Sequence, residues 1–418
     1  MNRISYMVAV PADEAETACF TILAERLARV EGVTVFGTKT EEGALSFELS
    51  YDGALYCGSL YPADIELPEL FRAQHLFPDV DIAAIEACRT GLGMELEFTD
   101  NALASYHLQL KLFRALLSAG FLAVIDFSAE KVLSGSWAAL AADSHVPPAP
   151  RYLYTVQAVL GEDGQVWLHS HGLNRCNVPE LEVLGSTREN YEQHYYVIET
   201  MANRLLERGE PLAPGEPLFL ARLSEEAVLV TTLLPWEEAV HLYDEDILGG
   251  GDDRQDGHNE DTSCIFTYPS EEDLEKRQIC PLTVYDKLLS ENPVYMISTA
   301  ETERMKALAQ ERIAYVKRMA GCEGVKILVK LGLLVDEEYN SDGSEREHIW
   351  FELKAISDLK VTAELTQEPY YIAGLHTGDV GEYSLDIITD WIIFTPEKRI
   401  TPDDVYLLAP QFSCGIQS

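Results

Sequence analysis

Residues 94–127 read MELEFTDNALASYHLQLKLFRALLSAGFLAVIDF. Residues 94–98 alternate apolar and acidic side chains, the period of a half-buried strand. Asp100 is placed to cap a helix. After it, Leu103, Tyr106, Leu110, Phe113 and Leu117 recur three or four apart and share one helical face. Gly120 suits the stop. Residues 121–127 are then a nearly continuous apolar run, the mark of a buried strand. Strand, helix and strand in this order predict a β-α-β unit whose strands pair in parallel and lie covered on both faces.

The same reading extends outward. Towards the N-terminus it predicts a strand over 5–10. A helix follows Asp13, with Cys19, Ile22, Leu23, Leu27 and Val30 as its apolar positions, and further strands lie over 33–36, 44–51 and 54–60. Asp52-Gly53 between the last two is a hairpin signal. The run HVPPAP at 145–150 can be neither helix nor central strand. Beyond it come strands over 152–160 and 165–171, a helix over 187–208, and strands over 218–222 and 227–234. From 236 to 263 the period is lost: ten acids face a single base, Arg254, around Gly249–Gly251. Such a stretch reads as a solvated linker. A capping box at Ser298 and Glu301 then opens a helix, and strands follow over 325–334, 348–356 and 385–394. A short helix opened by Thr401-Pro402 ends the pattern. The class is α+β: mixed sheets with flanking helices, an N-terminal two-part region and a smaller C-terminal α+β domain. The expected divisions are a domain at 1–145, a second α+β segment at 146–235 packed on the first, an acidic Gly-rich linker at 236–265 and a C-terminal domain at 266–418.

Charge bounds the function. The 418 residues carry 31 Lys and Arg against 70 Asp and Glu, a net charge of −39. A nucleic-acid reader needs a stripe of bases to displace counterions, and none is present. Anionic membrane surfaces are disfavoured for the same reason. Basic proteins are the partners such a charge attracts. The eight cysteines contain no C-x-x-C and read as reduced, mostly buried small side chains. The N-terminus is not a secretory signal, and no apolar run reaches bilayer length, so a soluble cytoplasmic protein is expected.

Few motifs carry chemistry. No phosphate-binding GxxxxGK[ST] or nucleophile elbow GxSxG exists, and Gly91-Leu92-Gly93 is not completed to a dinucleotide fingerprint. Asp244 and Asp246 begin a calcium-like spacing that Leu248 breaks. Two constellations remain. His169 and His171, two apart on a strand, share a face and could chelate zinc, with Cys176 and His194 as further ligands. His348, Trp350 and Glu352 alternate on a second strand, opposite Ile349, Phe351 and Leu353. With Asp390 and Trp391 they could line a ligand or interaction groove.

Two resemblances follow from longer runs. EHIWFEL (347–353), LTQEP (365–369), GLHTGD (374–379) and IITDWII (387–393), in that order, resemble a small bacterial domain called domain of unknown function 2314, over about 298–408. Glu368 in LTQEP departs from the Asn expected before the proline. LHSHGLNRCNVPELE (168–182), PPAPRYLYTVQAV (147–159) and the acidic loop with Asp253, Arg254 and His258 resemble domain of unknown function 4026. The resemblances imply a bacterial protein of two-family layout and carry over no catalytic residue. The expectation is therefore a non-enzymatic protein-binding module with a basic partner, an immunity-type role being one form of it. The alternative is a metal-binding hydrolase using His169 and His171. No cofactor is expected under the first reading, and zinc under the second.

Overall fold

The computed structural model describes residues 3–73, 77–225, 227–254, 259, 261–291, 293–295, 299–340 and 343–408. Ser298 of the expected capping box, His258 and Cys414 lie outside them. Seven strands form the first sheet: β1 (Ile4–Pro11), β2 (Val33–Glu41), β3 (Ala44–Tyr51), β4 (Ala54–Asp64), β5 (Thr90–Glu97), β6 (Phe121–Asp126) and β7 (Lys131–Ser134). Their order is β2-β3-β4-β5-β1-β6-β7. The stretch 94–127 supplies β5, the helix Ala102–Leu116 and β6, as its pattern predicts. The helix is capped by Asn101, whose Oδ1 accepts from the Ala104 amide at 3.0 Å, while Asp100 pairs with Arg3. The expected parallel pairing does not form. β1 lies between β5 and β6 and runs antiparallel to both, with Met7 opposite Met94 on one side and Asp126 on the other. The reason is in β1 itself: Met7, Val8, Ala9 and Val10 are all buried. A strand apolar on both faces takes the most covered place in a sheet. Asp52 and Gly53 both take positive φ and close the β3–β4 hairpin, as their pairing predicts.

The second sheet holds β8 (Thr155–Leu160), β9 (Gln165–His171), β10 (Glu180–Thr187), β11 (Leu218–Arg222), β12 (Val228–Pro235), β13 (Thr262–Thr267), β14 (Cys280–Pro281) and β15 (Val294–Tyr295). The order is β15-β11-β12-β13-β10-β9-β8, with β14 beside β13. Every neighbouring pair is antiparallel except β10 and β13. The helix Tyr191–Arg208 packs on this sheet through Val197, Ile198, Met201 and Leu205. It starts later than 187 because Thr187 is still paired with Gln165 inside β10.

The contacts group the chain with other boundaries than those expected. The chain divides into one unit of Met1–Asp143 with Pro147–Ile297 and another of Ser144–Val146 with Ser298–Ser418. Both N-terminal segments therefore share one unit, and the C-terminal domain does not begin at 266. The described residues of 236–265 are not a linker: they include the helix Trp236–Ala239, the 3-10 turns Val240–Leu242 and Gly251–Asp253 and the start of β13, a central strand. The apolar run Cys264, Ile265 and Phe266 is wholly buried there, and it outweighs the charge that precedes it.

The second unit is one antiparallel sheet of β16 (Lys326–Leu334), β17 (Arg346–Ile356), β18 (Lys360–Leu365), β19 (Val380–Ser384), β20 (Ile388–Phe394) and β21 (Arg399–Ile400), in the order β19-β18-β17-β16-β20-β21. Helices Thr299–Glu311 and Ile313–Met319 pack on it. Val329, Leu331, Ile349, Phe351, Trp391 and Ile393 are buried on the apolar face. A 3-10 helix, Pro402–Leu407, follows the Thr401 cap. No helix among the described residues is long and apolar enough to cross a membrane. Among the described residues six cysteines are free thiols, of which Cys176 and Cys264 are buried.

Arg175 joins the two sheets of the first unit. Its Nη1 and Nη2 donate to the two oxygens of Asp126 at 2.9 and 2.8 Å, and Nη1 also reaches Ser5 Oγ at 2.8 Å. The guanidinium lies over the rings of Tyr106 and Phe98, and both charges are buried. Arg175→Met strands the Asp126 carboxylate in the core, which should cost about 3–5 kcal/mol in denaturant unfolding. The double variant Arg175→Met/Asp126→Asn should recover part of that loss, since the carboxylate charge that Arg175 answers is removed with it. Equal loss in single and double variants contradicts the assignment.

Candidate functional site

The strand β9 sets the histidine pair. Trp167, His169 and His171 alternate and share one face, with ring centroids 4.4 Å apart for Trp167 and His169 and 5.0 Å for the two histidines. His171 Nδ1 lies 3.6 Å from Glu130. Ser186 pairs with Val166 and Val183 with Leu168, so Ser186 belongs to the opposite face. His194 reaches that opposite face: its Nδ1 is 2.7 Å from Ser186 Oγ and its Nε2 3.0 Å from Asp286. Cys176 sits in a 3-10 turn, and burial pushes its thiol up to about 12, away from the thiolate that binds metal. The four sequence-predicted ligands are thus not brought together. Among the described residues no three His, Cys, Asp or Glu side chains group as a metal site.

On the C-terminal sheet the alternation holds for β17. Ile349 and Phe351 are buried, while His348 and Lys354 are exposed and Trp350 and Glu352 half-buried. One row runs across three strands: Asp390 opposite Lys330, and Lys330 opposite Trp350, whose ring lies 5.5 Å from the Lys330 ammonium. His348 Nδ1 is 3.1 Å from Thr389 Oγ1. Glu352 is gripped by Lys326 and Lys354 at 2.7 and 2.8 Å, and these hydrogen bonds lower its pKa. Lys354 also meets Glu364, and Lys360 meets Glu382. Trp391 is corrected: it belongs to the covered face, with Nε1 donating to the Ala309 carbonyl at 3.0 Å and no exposed surface. Neighbours on a strand face opposite ways, so Asp390 and Trp391 could not share a groove. The cavity beside Glu352 is about 160 Å³, below the several hundred Å³ of ordinary ligand sites.

The residues that sequence reading missed surround Arg254. Its guanidinium lies 4.2 Å from the Trp236 ring and 5.1 Å from Trp167. Nη1 donates to Glu182 Oε1 at 2.9 Å and Nη2 to Oε2, a bidentate pair with both side chains buried. Nε donates to the Gly249 carbonyl at 3.0 Å and Nη1 to the Asn259 carbonyl at 2.7 Å. Gly249 takes φ +89°, and a Cβ there would stand 2.8 Å from Leu184 and Trp167, so glycine is required. The acidic segment is thereby fastened to the second sheet. All eight of its described acids (Glu237, Glu238, Asp244, Glu245, Asp246, Asp252, Asp253 and Asp261) are exposed. One sequence signal pointed here: a lone base amid acids beside a glycine run.

Two titrations follow. Burial lowers the pKa of His194 against the opposing pull of Asp286, so the neutral ring accepts from Ser186 and donates to Asp286. The unfolded chain takes its proton at about 6.5, and below that pH folding must keep the proton off. Wild-type stability relative to His194→Gln should therefore fall as pH drops below about 6.5. A relative stability that rises on acidification contradicts the neutral assignment. Asp390 is pushed up to about 6 by burial; its cost appears as pH rises from the ordinary carboxylate range through 6. Asp390→Asn should stabilise the second unit by ~2 kcal/mol at about pH 7 and by little at about pH 4. An equal gain at both pH values would remove ionisation as the cause.

Comparison with known families places this architecture. The model described as "Protein of unknown function (DUF4026) N-terminal" matches residues 5–148, and "Protein of unknown function (DUF4026) C-terminal" matches 156–266. The matched segments contain Asp126 in the first and Arg175, Glu182 and Arg254 in the second. They do not extend over 298–408, and the expected resemblance of that stretch to domain of unknown function 2314 is not shown. Neither the curated proteins nor the solved structures give a match. By the two matches, which together span most of the chain, this protein belongs to the DUF4026 family, a family of unknown function.

Proposed function

We propose that the chain is a non-enzymatic, cytoplasmic protein-binding module whose partner presents a basic face. The observation that carries this reading is the clamped acidic segment. Eight carboxylates stand outward on backbone that Arg254 fastens to the sheet. Charges held in place before contact cost less ordering on binding than charges on a free tail. Their sign steers a cationic surface inward and repels phosphate backbones.

The C-terminal face fits such a partner poorly, since Lys326, Lys354 and Lys360 already answer Glu352, Glu364 and Glu382. Its His348, Trp350, Glu352 and Asp390 are proposed as a secondary contact surface. The reading needs no cofactor, nucleic acid or membrane. An immunity-type role, with a basic toxin as partner, is its narrowest form. The metal-hydrolase alternative gains no support from side chains that lie on opposite faces of one sheet.

The test is affinity capture on the full chain from a lysate of its own cells, with elution by stepped salt. The reading expects retained proteins with basic surfaces that are released as salt rises, because exposed charges are screened beyond about 8 Å at physiological ionic strength. Retention of neutral or acidic proteins through high salt would contradict it.

A further inference from the structure

Resting on the basic-partner reading, we propose that a groove between the end of β10 and the segment 241–247 receives an arginine or lysine side chain that has an apolar neighbour in the partner's sequence. The groove measures about 490 Å³, a size that takes a defined chemical group. Its walls come from two sources. Gly185 and Thr187 end β10, where the pairing with β9 shifts register between Val183 and Ser186. Leu242, Tyr243, Asp244 and Asp246 come from the clamped acidic segment. Gly185 takes φ +71°, which favours glycine, and the Tyr243 ring stands 3.4 Å from where its Cβ would be, in contact with the end of the strand. Tyr243 is itself held, tilted against Phe266 at 5.8 Å between ring centroids.

The occupant follows from the lining. It contains two carboxylates, Asp244 and Asp246, both exposed, and no Lys or Arg. An anionic group is repelled there. A guanidinium or ammonium is attracted, and its methylene stem has Tyr243 and Ile247 to lie along. Leu242 is 51% exposed at the same place, an apolar surface that a polycation alone would leave uncovered. The match is therefore a segment with a base beside an apolar residue. Arginine is favoured over lysine because its planar fork meets carboxylates in pairs. Gln165 of β9 also lines the groove, accepting from the Leu248 amide at 3.1 Å and donating to Asp163 at 2.7 Å.

The experiment uses the full chain and two short amidated peptides, one alternating arginine with leucine and one with citrulline in place of arginine. Binding is measured by fluorescence anisotropy, with thermal melting to show that each variant is folded. Wild type should bind the arginine peptide and not the neutral one. Asp244→Asn/Asp246→Asn should weaken that binding about tenfold or more. Glu271→Gln/Glu272→Gln, at exposed acids on another helix, should leave it unchanged. If wild type binds the arginine peptide and both double variants bind equally well, the groove assignment is overturned while the basic-partner reading stands. If wild type binds neither peptide, both fall.

Discussion

Arg254, over the rings of Trp167 and Trp236 and bidentate on Glu182, is the contact on which the acidic face depends. Apolar side chains hold the front of the segment: Ala239 is buried with Trp167, Leu184, Cys264 and Phe266, and Trp236, Val240, Tyr243, Ile247 and Leu248 pack against them. The acids beyond repel one another, and the Gly249–Asp253 stretch has no apolar side chain to bury. The guanidinium supplies what the segment lacks. It ties down the Gly249 and Asn259 carbonyls and anchors both to a strand in the middle of the sheet. Desolvating the pair is costly, yet the geometry meets both carboxylate oxygens and sets the guanidinium over two tryptophan rings.

Arg175 plays the matching part between the two sheets, with Asp126, Ser5 and the Tyr106 and Phe98 rings around it. Arg175 and Arg254 are each balanced by one buried carboxylate. These pairs are electrically neutral, so the charge of −39 is carried by the rest of the chain.

Much of the fold was legible. The alternation of 94–98, the helical stripe to Leu117 and the Asp52-Gly53 turn each led to the element they predict. What sequence could not give was partnership across distance. β1 separates β5 from β6 because it is apolar on both faces, a comparison no local window makes. β10 escaped notice because its pairing shifts register near Gly185, which interrupts the period of two. His169 and His171 do share a face, but His194 works from the other side, tied to an aspartate ninety-two positions away in the chain. Trp391 was misplaced by reading a dipeptide as a unit when strand geometry separates its members. The acidic stretch was misread because net charge was counted without asking what its single arginine does.

The most direct test of this account is native-state hydrogen exchange across residues 236–254. The Leu248 amide donates to Gln165 Oε1, Gly249 to Asp253 Oδ2, and Gly250 to the Ile247 carbonyl. A clamped segment predicts that these three amides exchange on the order of a hundredfold or more slower than in an unstructured peptide. Exchange at the unstructured rate would show a free acidic linker, and the ordered binding face would go with it.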